Sequence, residues 1–259
     1  MIDKIETLSL KISEDIHAKL GYSDSLEIRH LRPFQHWGNF DFKDSVLILG
    51  LNPSSSDIEK QGVANDCFIH YFPDYWTSTD KKWIIKEFAQ KGYSYNNYFK
   101  KPYELFLPFN YRPIWTNRNY LDLKKDKLTS EEYNLLNGIQ DTGKYCVFSD
   151  LLHYKETTAK NIEKIINKST DLENKILDLF ALQIKFFKSK IVFINNAFAS
   201  RLLTRFITHR LGLESKVYTN LEFQGAIIVF SAILTGARAM DNYSHERLKY
   251  ELKDLIKSK

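Results

Sequence analysis

This sequence predicts an α/β fold with a parallel sheet, and three observations carry the prediction. Four short apolar runs have the continuous hydrophobicity of strands buried on both faces. Segments of helical apolar spacing separate or follow the later runs. The chain has 259 residues, enough for one large core without a scaffold of disulfides or metals.

The first run, Ser45-Val-Leu-Ile-Leu-Gly-Leu51, is closed by Asn52-Pro53 and reads as a buried strand meeting a loop. Lys144-Tyr-Cys-Val-Phe-Ser149 is the second such run, and Lys190-Ile-Val-Phe-Ile-Asn195 the third. Between them, Leu172 to Lys188 sets Ile176, Leu179, Phe180, Gln183 and Phe187 at the spacing of one helical face. A second helix is expected from Ala197 to Leu211, ending at a Gly212 C-cap. The fourth run is Gly225-Ala-Ile-Ile-Val-Phe-Ser231. A last amphipathic helix, Ser244 to Ile256, carries Leu248, Leu252 and Leu255 on one face, with Ser244 as its expected cap.

Composition narrows the class. The chain is 43% hydrophobic, and 37 basic against 32 acidic residues give a net charge of +5. That balance permits a polyanionic partner without requiring one. Met1-Ile-Asp-Lys-Ile-Glu-Thr7 mixes both charge signs and lacks the apolar run of a signal peptide. No segment approaches the ~18 uninterrupted apolar residues of a membrane span. A cytoplasmic monomer that avoids membranes is therefore expected. Cys67 and Cys146 are the only cysteines, which excludes a disulfide framework, a four-cysteine zinc site and a four-cysteine iron–sulfur cluster. Cys67 and His70 have metal-ligand spacing but no second pair, so neither metal nor cofactor is expected. P-loop, dinucleotide-binding and nucleophile-elbow motifs are absent from the sequence.

No repeat or linker divides the chain, so 1–259 reads as one domain carrying an aromatic-rich insertion at about 68–120. Phe68 to Tyr120 holds 17 of the 37 aromatic residues (18 Phe, 15 Tyr and 4 Trp in all), interleaved with lysines and arginines. Such a mixture suits stacking on bases and tracking a phosphate backbone; the alternative is an insertion that packs a small core of its own. In parallel α/β folds ligands bind beyond the carboxyl ends of the strands. That rule selects Asn52–Asp57, Ser149–Tyr154, Asn195–Asn196 and Ser231–Arg238. Arg201, Arg205 and His209 recur every four residues and form either a nucleic-acid-facing stripe or a solvated face.

Gly50-Leu-Asn-Pro53 resembles the first motif of the uracil-DNA glycosylase superfamily, above all its mismatch-specific and single-strand-selective branches, where it reads Gly-x-Asn-Pro. Val192-Phe-Ile-Asn-Asn-Ala-Phe-Ala-Ser-Arg-Leu202 resembles that family's third strand and the helix after it. The likeness of layout runs from about Ser45 to Leu248. It implies a three-layer fold with a central four-stranded parallel sheet flanked by helices, and a groove for duplex or single-stranded DNA across the strand ends. It also implies a monofunctional glycosylase that flips a nucleotide and hydrolyses its N-glycosidic bond without metal or cofactor. A lyase step would need a nucleophilic amine, which the motif does not supply.

On this resemblance Asn52 holds and orients a water facing the anomeric carbon, with rate coming from positioning and electrostatics because an amide is a poor base. The alternative for Asn52 is a turn residue before proline. Ser54 and Ser55 offer hydroxyls and N–H groups to a phosphate. Phe68 and Tyr71 are candidate stacking rings for the flipped base, and Asn195 a lining residue of its pocket. Asp150 falls where several branches place an asparagine that reads uracil. An ionised carboxylate accepts hydrogen bonds but donates none, which favours an amine-bearing, cytosine-type base; it serves alternatively as a cap or as catalytic charge. The family's second motif carries a histidine, or an asparagine, followed by Pro-Ser. Here Ser231-Ala-Ile-Leu-Thr-Gly-Ala-Arg238 has neither histidine nor proline. Thr235 and Gly236 are left to form the loop that enters the minor groove, and Arg238 to reach a phosphate or the vacated base position, with His245 a distant substitute for the histidine. Two other readings stay open: a catalytically silent nucleic-acid-binding protein of the same fold, and a hydrolase of free nucleosides or nucleotides.

Overall fold

The computed structural model describes residues 1–21, 45–51, 101–102, 104–113, 144–154, 159–232 and 240–257. Most of the aromatic insertion at 68–120 lies outside them. So do Asn52, Ser54, Ser55, Phe68, Tyr71, Thr235, Gly236 and Arg238.

Six strands form one sheet: β1 (Val46–Gly50), β2 (Tyr111–Pro113), β3 (Lys144–Asp150), β4 (Ile191–Ile194), β5 (Asn220–Phe223) and β6 (Ala226–Phe230). Their order is β2-β3-β1-β4-β6-β5. Every neighbouring pair is parallel except β5 with β6. The four strands predicted from the apolar runs are thus contiguous, β3-β1-β4-β6, and the α/β class with a mostly parallel sheet is as expected.

The sheet has six strands among the described residues, not four, because its edges carry no apolar run. β2 is three residues long and ends on a proline, and β5 is mostly solvent-facing. Edge strands need only one buried face and can be short. Gly225, read from sequence as the start of the fourth strand, belongs instead to the β5–β6 turn. There Gln224 (φ 53°) and Gly225 (φ 75°) are both left-handed, as a two-residue hairpin that follows strand twist requires.

Both faces of the central strands are covered, which makes three layers. On one face Leu47, Leu49, Val147, Val192, Ile194 and Ile228 pack under α1 (Ile2–Leu20), α2 (Ala159–Ile166), α3 (Thr170–Phe187) and α4 (Ala197–Leu211). On the other, Val46, Ile48, Cys146, Phe148, Ile191, Phe193 and Val229 pack against Leu105, Phe106, Tyr111 and the Leu248–Leu252 stripe of α5 (Asn242–Lys257). Alternation along each strand sends successive side chains to opposite layers. Cys146 serves there as a small apolar group, and burial pushes its thiol pKa well up.

Caps fix the helices that frame the sheet's carboxyl edge. Asn196 Oδ1 accepts from the N–H groups of Phe198 (2.9 Å) and Ala199 (3.0 Å), so this residue starts α4. Gly212 ends α4 in the left-handed conformation (φ 65°), as its sequence position predicts. The last helix begins two residues before the expected Ser244. Asp241 supplies the cap, accepting from the Ser244 N–H (3.0 Å) and hydroxyl (2.7 Å). The two carboxylate oxygens share the task, Oδ1 accepting from the N–H and Oδ2 from the hydroxyl. No helix among the described residues is long and apolar enough to cross a membrane.

Candidate functional site

After β1 the chain builds β2 and β3 on one side of it and then crosses to β4 on the other. β1 is therefore the point at which the winding of the sheet reverses, and the crevice beyond its carboxyl end is where such a sheet binds ligands. The register there is well defined. Gly50 stands opposite Asp150, and the ladder runs on past the strands through Leu151 N–H to Gly50 O (3.0 Å) and Leu152 N–H to Leu51 O (2.8 Å). On the other side Asn195 N–H donates to Leu49 O (2.9 Å). Ile194 pairs with Phe230, so the next residues, Asn195 and Ser231, continue the row. Asp150, Gly50, Asn195 and Ser231 thus cross four adjacent strand ends in one line. Leu51 closes β1 at this edge, and Asn52 follows it in the sequence.

Each member of the row is anchored by its neighbours. Asp150 is half-buried, and its carbonyl accepts a hydrogen bond from Gln183 Nε2 at 3.0 Å. Asn195 is buried at 1% exposure. Ser231 is clasped to the first turn of α4: Ser200 Oγ donates to Ser231 O (2.7 Å) and accepts from Ser231 N–H (3.1 Å). That reciprocal pair fixes Ser231, the residue after β6, against α4.

Behind Asp150 lies a polar network that the sequence concealed. Gln183, read as one more member of an apolar stripe, is fully buried, and its Nε2 also meets His153 Nε2 at 3.3 Å. His153 Nδ1 in turn lies 2.7 Å from Ser9 Oγ on α1. The Asp150 carbonyl can only accept, so the amide must present its NH2 to it. The same NH2 makes His153 Nε2 an acceptor, which puts the imidazole proton on Nδ1 as donor to Ser9. His153 is therefore held as one neutral tautomer. Ser13 Oγ donates to Ser9 O (2.8 Å), and His17 Nδ1 sits 3.0 Å from Tyr154 Oη, extending the network along α1. The signal that could have revealed it is the run of Ser9, Ser13 and His17 at helical spacing beside Ile5, Ile12 and Ile16.

The helical stripe divides. Arg201 and Arg205 line a common cleft, whereas His209 turns towards Glu173 of α3, 3.4 Å away. His245 lies in the first turns of α5, where burial, followed by the charge of Lys249, lowers its pKa. Among the described residues no group of three or more His, Cys, Asp or Glu side chains is placed to hold a metal. No protein-family model matches the chain, and no curated protein matches it either. The functional reading therefore rests on residues and their placement.

Proposed function

We propose that the chain is a monofunctional DNA glycosylase of the uracil-DNA glycosylase type, acting as a cytoplasmic monomer on single-stranded or duplex DNA that carries a modified or deaminated base. One observation carries the reading. The strand bearing Gly50-Leu-Asn-Pro53 sits at the reversal point of a parallel sheet, with Gly50 in register with Asp150 and with Asn195 and Ser231 on the adjoining strand ends. The contiguous block β3-β1-β4-β6 also supports the finer likeness to that family's four-stranded core.

In the proposed reaction the target nucleotide leaves its stack and enters the crevice, with Phe68 and Tyr71 as stacking surfaces. Asn52 holds the water that attacks the anomeric carbon. The C1′–O bond forms as the C1′–N bond breaks, the base leaves with the bonding electrons, and the proton released by the water passes to solvent or to Asp150. In this reading Asp150 accepts a hydrogen bond from an exocyclic amine, which favours cytosine-type bases. Ser54, Ser55, Thr235, Gly236 and Arg238 hold the strand. A buried carbonyl anchor on Asp150 restrains its backbone, and restraint of that kind is where positioning catalysis gains its rate.

The test is base release from oligonucleotides containing uracil or modified cytosines, single-stranded and duplex, with abasic sites revealed by alkaline cleavage. Wild type should yield abasic product, and Asn52→Ala should lose about 10²-fold or more in rate. Absence of abasic product from every substrate would refute the assignment. It would favour the second reading, a silent nucleic-acid-binding protein, to which the lack of a histidine in Ser231–Arg238 points.

A further inference from the structure

Beside the site row, α4, the segment 215–219 and the end of β6 enclose a cleft of about 610 Å³. Among the described residues its cationic groups are Arg201, Arg205 and Lys216, and none of those lining it is acidic. Arg201 is exposed; its guanidinium lies 5.8 Å from the Phe198 ring, and no carboxylate among the described residues is paired with it. Arg205 is steadied by Asn167, which accepts from its Nη1 at 2.6 Å. Lys216 reaches Glu214 only at 3.8 Å, with both side chains largely solvated, and lies 5.4 Å from the Tyr218 ring; contacts this exposed are weak and leave it available to a phosphate. The apolar part of its lining is Ala197, Phe230 and Met240, with Val217, 94% exposed, standing in solvent beside them.

We infer that this cleft binds a single nucleic-acid strand alongside the reacting nucleotide, with the three cations on its phosphates and an unstacked base on the apolar lining. The inference rests on the nucleic-acid reading above and adds where a flanking stretch of strand runs. A duplex offers phosphates but keeps its bases stacked, so it cannot occupy such a lining; a single strand can. Arginine presents a planar fork to phosphate, unlike the point charge of lysine, and two of the chain's nine arginines converge here. A cleft of about 720 Å³ near the amino end of β4 is lined by Lys185, Lys188 and Lys190. It has comparable charge but lies at the opposite edge of the sheet from the site row.

The experiment is salt-dependent binding of a fluorescent single-stranded oligothymidylate to the full chain. Each phosphate contact on a single strand contributes about −0.7 to the slope of log K against log salt. Arg201→Gln combined with Lys216→Gln should therefore flatten the slope by about 1.4. Between 50 and 200 mM salt the wild-type advantage should shrink about sevenfold. Lys185→Gln with Lys190→Gln removes equal charge and should leave the slope unchanged. An unchanged slope in the cleft variant, or an equal change in both variants, would overturn the inference. So would displacement of the oligonucleotide by thymidine monophosphate at equal concentration, which would assign the cleft to a small phosphate. The readout is binding, so the two proposals fail separately. A chain that releases no base but shows the predicted slopes keeps the cleft and loses the glycosylase. One that releases bases with an unaltered slope does the reverse.

Discussion

Replacing Gln183 with glutamate converts the hidden network behind Asp150 into a measurable pH dependence. The wild-type amide is fully buried and gives its NH2 to the Asp150 carbonyl at 3.0 Å and to neutral His153 at 3.3 Å. A carboxylate in that place would face the carbonyl with oxygen against oxygen, so the folded state must take up a proton. Whether that proton sits on the new carboxyl or on His153, the folded variant carries one more proton than the folded wild type. The unfolded chain releases the carboxyl proton near pH 4.3. The sign follows from linkage: above pH 4.3 the substitution adds one proton to the folded state and none to the unfolded chain, so stability relative to wild type falls as pH rises. Relative to wild type the penalty grows by about 1.4 kcal/mol per pH unit, or about 2.7 kcal/mol between pH 5 and pH 7. Gln183→Leu has no such proton. It should cost a pH-independent amount of about 1–3 kcal/mol for the lost donors. Urea unfolding of the three proteins at pH 5, 6 and 7 provides the comparison. A glutamate penalty that stays constant across that range would refute both the buried amide and the neutral histidine assigned to it.

Two further outcomes follow from the packing and from α5. Phe193 is fully buried in the layer beneath α5, with its ring edge-on to Phe106 at 5.8 Å; Phe193→Ala should destabilise the fold by about 3–5 kcal/mol in denaturant unfolding. His245 is held below the usual histidine pKa first by burial and then by the Lys249 charge, so it should be neutral at pH 7. Its contribution to stability is present above its unfolded pKa and is lost as pH falls through the lowered folded value. Lys249→Gln should raise the His245 pKa in an NMR titration, and a lower or unchanged value would contradict that cause.

Much of the sheet was legible because its central strands are buried on both faces. Val46 to Leu49 and Ile191 to Ile194 leave almost no surface exposed, so their sequences have no reason to alternate. β2 and β5 escaped notice for the converse reason, since an edge strand half in water shows no such run. α1 was obscured because its buried face mixes Ser9, Ser13 and His17 with three isoleucines, which breaks the apolar period. Gln183 misled in the opposite sense, a polar residue on an apolar stripe that proved to be the link to Asp150. The arginine stripe was only partly sound. Eight residues along an α-helix rotate a side chain by about 80°, enough to carry His209 away from the cleft shared by Arg201 and Arg205. The rule about strand ends selected the segments holding Asp150, Asn195 and Ser231, and the register puts these three in one row. Asn52, which would hold the attacking water, lies outside the described residues.

The central position of β1 also bears on how the chain reaches this state. Its partners come late: Val46 pairs with Cys146 on one side and Ile191 on the other. At roughly 5–20 residues per second, about 5–20 s of synthesis separate the emergence of Gly50 from that of the first β3 residue. Throughout that interval Val46-Leu-Ile-Leu49 is an apolar segment with both edges open, suited to pairing with a copy of itself. Such long-range parallel pairing is intrinsically slow. The strand that centres the candidate site is thus also the one whose protection during synthesis governs how much of the chain avoids aggregation.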